Sequence, residues 1–162
     1  RYQPRSRGLG DVYKRQGERG ALSLLFSSAG GEKWNANGKW GTSEPICSWE
    51  GIECDQGSAT ADSGVTAIRL EKNNMSGILP TAIWSLPSLK TLLLSGNEEL
   101  AISFEGLSDA QNLQVLQVSN TRISSLNGIS QASSLKELFI DENGLTGKLM
   151  FEVGVIRQLA AS

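Results

Sequence analysis

The sequence predicts an α/β solenoid, with parallel strands stacked on a concave face, an irregular or short helical convex side, and a helical cap at the N-terminal end. Three observations predict it. Apolar positions recur in phase at Val65, Leu89, Leu113, Leu135 and Leu159, with start-to-start spacings of 24, 24, 22 and 24 residues. Self-similarity at such a period marks stacked units, none of which buries its own apolar face alone. Within each unit apolar residues fall at alternate places over a short stretch, the period of a strand. Upstream, Glu18–Asp55 differs in character, with a helical pattern followed by Trp, Gly and two Cys.

The bulk numbers fit one domain or part of a longer array. The apolar fraction of 39% supports a core, and 20% charge is ordinary for a water-exposed chain. Apolar runs are only a few residues long, too short for a bilayer-spanning helix. With no His, the chain lacks Ser-His-Asp and Cys-His catalysis and His-ligated metal. It begins without Met and shows no signal peptide, so the natural start is expected elsewhere.

Residues 1–16 read as foreign to the domain. Ser6–Gln16, SRGLGDVYKRQ, resembles the translation of the transposase adapter end used in sequencing libraries. The other reading is a basic tail for nucleic acid or acidic lipid. The stretch carries Arg1, Arg5, Arg7, Lys14 and Arg15 against Asp11, a net +4, so without it the chain goes from −2 to −6. That balance makes a nucleic acid a poor partner. Residues 1–16 are expected to be disordered.

A cap is expected over residues 17–55. Its helix runs roughly over Glu18–Ser28, with Leu22, Leu25 and Phe26 at helical spacing and Gly30-Gly31 as the stop. Trp34, Trp40 and Trp49 supply bulk to cover the open end of the first repeat; sugar stacking is the alternative. By chemistry alone, Cys47 and Cys54 allow a disulfide, a partial metal site or buried thiols, and two thiols without His make a poor zinc site. Residues 56–64, QGSATADSG, read as a flexible loop.

Four repeats follow, at 65–88, 89–112, 113–134 and 135–158, with 159–162 the start of a fifth. They align on L-x-x-L-x-L-x-x-N-x-L. The first runs Val65, Ile68, Leu70, Asn73, Met75; the second Leu89, Leu92, Leu94, Asn97; the third Leu113, Leu116, Val118, Thr121, Ile123; the fourth Leu135, Leu138, Ile140, Asn143, Leu145. A side-chain amide at the ninth place both donates and accepts, so Asn73, Asn97 and Asn143 are expected to form an internal ladder. Thr121 departs from it with a hydroxyl. Ile83, Leu86, Leu107, Ile129, Val153 and Ile156 are expected to close the convex side. Leu100 comes one place late after Glu98-Glu99, which predicts a local bulge.

These residues resemble plant-type leucine-rich repeats, whose unit continues L-x-G-x-I-P after the Asn. Met75-Ser-Gly77-Ile-Leu79-Pro80 matches closely, and Leu145-Thr-Gly147-Lys-Leu149 matches until Met150 replaces Pro. Cys47-Ser-Trp49-Glu-Gly51-Ile-Glu-Cys54 likewise resembles the closing motif of the family's N-terminal cap. The resemblance implies a Cys47–Cys54 disulfide and hence an extracellular or cell-surface setting. The sequon Asn74-Met-Ser76 agrees with that route and makes Asn74 a glycosylation candidate. It further implies the N-terminal part of a recognition domain from a receptor-like protein or receptor-like kinase. A kinase domain or membrane anchor of the parent protein would then lie outside this chain. The alternatives are a secreted inhibitor resembling polygalacturonase-inhibiting proteins and a structural or adhesive wall protein.

No catalytic residues, metal or cofactor are expected. Acidic pairs such as Glu98/Glu99 and Asp141/Glu142 read as solvated turns, and the lone Gly8-x-Gly10 lacks the strand-turn-helix setting of a dinucleotide site. Binding has a definite place, the outward strand positions. At place five stand Arg69, Leu93, Gln117 and Phe139; at place three Ala67, Thr91, Val115 and Glu137; at place seven Glu71, Ser95, Ser119 and Asp141. Leu93, Val115 and Phe139 are apolar where the template does not require it. Arg69, Leu93, Val115, Gln117, Glu137, Phe139 and Asp141 are therefore the candidate contacts for a protein, peptide or glycan. Incidental surface hydrophobes are the bland alternative.

Because stacking supplies the stability, adding further repeats or a C-terminal cap should raise the unfolding midpoint in urea and steepen the transition. Equal stability of the longer chain would argue against stacking as the main support.

Overall fold

The computed structural model describes residues 7–56 and 64–145, with side chains from residue 17 onward. Its main sheet has five strands in the order β1-β2-β4-β6-β7: Ile52–Cys54, Val65–Arg69, Thr91–Leu93, Val115–Gln117 and Glu137–Phe139. β1 runs antiparallel to β2, and the remaining neighbours are parallel. Registers are continuous across the parallel strands: Ile68, Leu92, Leu116 and Leu138 align, each fully buried. Enclosing each such side chain contributes about 2–3 kcal/mol. Short 3₁₀ turns at Thr81–Ser85, Leu107–Asp109 and Ile129–Gln131 close the convex side, seating the buried Ile83, Leu86, Leu107 and Ile129. The rest of the fourth repeat, with Val153 and Ile156, and the start of the fifth lie outside the described residues, as does residue 57–63 of the expected loop.

The cap helix α1 spans Arg7–Ser28, starting well before the expected Glu18. Disorder over the whole of residues 1–16 is therefore not what residues 7–16 show. Extending a helix whose C-terminal half is packed costs far less than nucleating one, and no Pro interrupts the chain between Arg5 and Ser28. The helix ends before Gly30, which takes a left-handed φ of 69°. Leu22 and Leu25 are fully buried, and Phe26, Trp34, Trp40 and Trp49 form one aromatic cluster with successive ring centroids 5.0–5.4 Å apart. Each of the three indole N–H groups donates to a backbone carbonyl, those of Ala29, Glu50 and Glu44. A disulfide joins Cys47 to Cys54. Gly51 belongs to that motif because its positive φ brings it against β2: its carbonyl accepts from Arg69 N–H at 2.8 Å, and a Cβ there would strike the Arg69 carbonyl.

A second sheet escaped the sequence reading. β3 (Ser76–Ile78) and β5 (Glu99–Ala101) pair in parallel with no register break, and an isolated bridge continues to Arg122. No bulge forms at Glu98–Leu100. Pairing Ser76 with Glu99 instead starts the second strand one template place early, so the offset between the repeats falls from 24 residues at Arg69 and Leu93 to 23, and Leu100 is fully buried. Gly77 is needed because β3 lies against the end of α1, where a Cβ would strike the Ser28 carbonyl.

The ninth-place side chains supply the cross-repeat polar contacts. Asn97 Oδ1 accepts from Asn73 N–H (2.9 Å) and Met75 N–H (3.1 Å), while its Nδ2 donates to the Leu70 and Leu94 carbonyls. Asn143 Oδ1 accepts from Thr121 N–H at 3.0 Å, and its Nδ2 donates to the Val118 and Ile140 carbonyls. Asn73 turns the same chemistry on the cap: it accepts from Ala36 N–H at 2.6 Å and donates to the Ala36 carbonyl. Thr121 Oγ1 lies 2.8 Å from both the Val118 carbonyl and Asn143 Oδ1, but one hydroxyl proton serves one acceptor at a time. The preceding place, Lys72, Gly96, Asn120 and Glu142, has positive φ in every repeat.

Two stability changes follow. Asn97→Ala strips partners from four buried backbone groups and should cost about 3 kcal/mol or more in urea unfolding; a loss under about 1 kcal/mol would contradict the ladder's role. Lys72→Gly removes the left-handed penalty of a side chain and should add up to about 1 kcal/mol; a clear loss would show that the lysine side chain contributes more than its strain costs.

Candidate ligand-binding face

Three columns of outward residues cross the main sheet. Backbone register brings Val115 beside Glu137 and Gln117 beside Phe139. These four share one face of β6 and β7, with Val115, Gln117 and Phe139 half-buried and Glu137 exposed. Asp141 continues the face beyond β7.

Leu93 does not belong to the accessible set. It is 7% exposed, flanked in register by Arg69 and Gln117. Parallel strands lie only about 4.8 Å apart, so long neighbours on both sides shade a central side chain. Ala67, in the third-place column, is equally enclosed at 4%. Arg69 is exposed but engaged: its Nε lies 2.5 Å from Glu53 Oε1 of β1. It thus stands at the cap end, two strands away from Val115 and three from Phe139.

The seventh-place column forms a polar chain. Ser119 N–H donates to Ser95 Oγ at 3.1 Å, and Ser119 Oγ donates to Asp141 Oδ1. The hydroxyl orients one carboxylate oxygen of the half-buried Asp141. Asn74, the sequon residue, is exposed and its Nδ2 donates to the Lys33 carbonyl at 2.9 Å. Its neighbour Asn35 bonds to the Asn73 and Lys72 carbonyls, so this turn clasps the cap loop. Sugar stacking on the cap tryptophans does not fit the packing: Trp34, Trp40 and Trp49 are 5%, 5% and 2% exposed.

Sequence reasoning missed Trp84 and Phe104. Both are 1% exposed and pack with centroids 6.3 Å apart, the indole donating to the Ser103 carbonyl. It also missed an open cleft of about 490 Å³ between the convex turns of the second and third repeats. Its signal is legible in retrospect: Ser103-x-Glu-Gly106 and Ser125-x-Asn-Gly128 are the same turn, each Ser Oγ accepting from the N–H two residues on. Among the described residues no cluster of His, Cys, Asp or Glu is arranged to hold a metal. No helix there is long and apolar enough to cross a membrane.

Comparison with known proteins agrees with this architecture. No family profile matches the chain. It is 39% identical over 71 residues to a probable leucine-rich repeat receptor-like protein kinase of Arabidopsis thaliana, a match covering 43% of this chain and 7% of the kinase. It is 31% identical over 83 residues to polygalacturonase inhibitor 1 of the same plant, covering 51% of this chain and 24% of the inhibitor. Among solved structures, the BIR2 ectodomain from Arabidopsis thaliana superposes on 76% of this chain and 65% of that one, with a TM-score of 0.63 at 21% identity. The fold is thus a leucine-rich-repeat solenoid with an N-terminal helical cap. The chain spans under a quarter of the length of the two sequence relatives.

Proposed function

We propose that this chain is an extracellular ligand-recognition domain of a leucine-rich-repeat receptor-like protein or receptor-like kinase, and that it binds a protein or peptide on its concave face. The observation that supports the reading is the contiguous set Val115, Gln117, Glu137 and Phe139 on β6 and β7. Apolar side chains at outward strand places add nothing to the core, and a half-buried Phe diagonal to a Val on the same face offers a partner an anchoring surface. The Cys47–Cys54 disulfide fits an oxidising compartment, as do the similarities to a receptor-like kinase and a polygalacturonase inhibitor.

The test is a paired capture from plant extracellular fluid, with the wild-type chain and Phe139→Asp immobilised side by side and retained partners titrated individually. A partner held on this face should lose at least tenfold in affinity for Phe139→Asp. Unchanged affinity for every retained partner would remove the patch from the reading. A second reading, enzyme inhibition, rests on the 31% identity to the inhibitor; it is addressed by titrating the chain against purified polygalacturonases.

A further inference from the structure

The geometry points to a ligand segment of defined chemistry: a peptide with an Arg or Lys beside an apolar residue, its cation at the exit border of β7 and its apolar side chain on Phe139 and Val115. This inference rests on the concave-face reading and deepens it.

Charge across the face carries the argument. In the three outward columns the cation Arg69 is neutralised by Glu53, while Glu71 and Glu137 are exposed and Asp141 is half-buried. At the strand entrances Lys90 and Lys136 outnumber Glu137, and at the exits Glu71, Asp141 and Glu142 outnumber Lys72. A bound strand-like segment would therefore be oriented, with its positive end toward the exits.

Asp141 is also prepared for a cation. Ser95 Oγ accepts from Ser119 N–H, and Ser119 Oγ in turn donates to Asp141 Oδ1, so the carboxylate is held before a ligand arrives. Its Oδ2 can accept a charge-assisted hydrogen bond. Phe139 lies two residues before Asp141 on the same face, and an aromatic ring attracts a guanidinium or ammonium held within about 6 Å of it. Pre-oriented acceptor, ring and acidic border together suit a cationic-apolar pair better than a neutral or acidic peptide.

The experiment is selection of random linear peptides displayed on phage against the whole chain, followed by titration of synthetic copies. Enrichment of Arg or Lys next to an apolar residue is expected. Affinity should fall at least tenfold for Asp141→Asn, which keeps an acceptor for Ser119 but loses the charge. Ser119→Ala, which frees the carboxylate without removing it, should weaken binding less, and Glu105→Gln on the convex side should leave it unchanged. Raising NaCl from about 0.1 to about 1 M, which shortens the screening length from about 10 to about 3 Å, should weaken binding of the wild type and flatten its difference from Asp141→Asn. Selected peptides that depend on Phe139 but lack cations, or that bind Asp141→Asn equally well, would overturn the inference and leave the concave-face reading standing. Peptides indifferent to both Phe139→Asp and Asp141→Asn would overturn both. Failure to enrich any peptide would overturn the inference.

Discussion

Each repeat must turn its chain out of the strand without stranding backbone polar groups inside the stack, and a single ninth-place side chain meets that constraint, a carboxamide in every described repeat but the third, where Thr121 stands. Between the first and second repeats, Asn97 supplies two acceptances and two donations at once. No shorter polar side chain has that capacity, because a hydroxyl carries one proton. Stacked leucines provide the driving force for assembly, but they would tolerate sliding by a residue if burial alone counted. Directional bonds from one repeat to the next fix the register, and register decides which side chains meet on the concave face.

The cap obeys the same rule. Asn73 is the first rung of the ladder and also the acceptor and donor for Ala36 in the cap loop, so cap and solenoid share one amide. Asn35 and Asn74 reinforce that joint. The aromatic cluster around Trp40 covers the apolar end of the stack. The polar joint fixes its rotation about the solenoid axis. A recognition surface built from successive strands requires such a fixed origin, since its columns exist only while every repeat keeps its phase.

The periodic features were legible in the sequence because they follow from one unit repeated. The buried leucines, the ladder positions and the closing cap motif all sit at template places, where residue type has one reading. Features arising between units were not legible. Leu93 fills an outward place by template and is nonetheless enclosed, because shading depends on Arg69 and Gln117 in other repeats. Of the six residues in the β3–β5 sheet only Ile78 has a strand preference, and the sheet forms because stacking brings the backbones together. Trp84 and Phe104 occupy places that the template leaves open, and their packing appears only once the convex turns adjoin. The helix upstream of Glu18 shows the same limit from the other side: periodicity locates the packed face of a helix, not how far the chain continues it.

The distribution of the indoles has an optical consequence. All four tryptophans, Trp34, Trp40, Trp49 and Trp84, precede the second repeat, and all are 5% exposed or less. Native emission should therefore be blue and dominated by the cap and the first repeat. It carries no direct signal from β6 or β7, where the proposed contacts lie. A melt followed by fluorescence would record the sealed end of the stack alone, and far-UV dichroism would record all of it. Any lag between the two curves measures how independently the end bearing Phe139 opens.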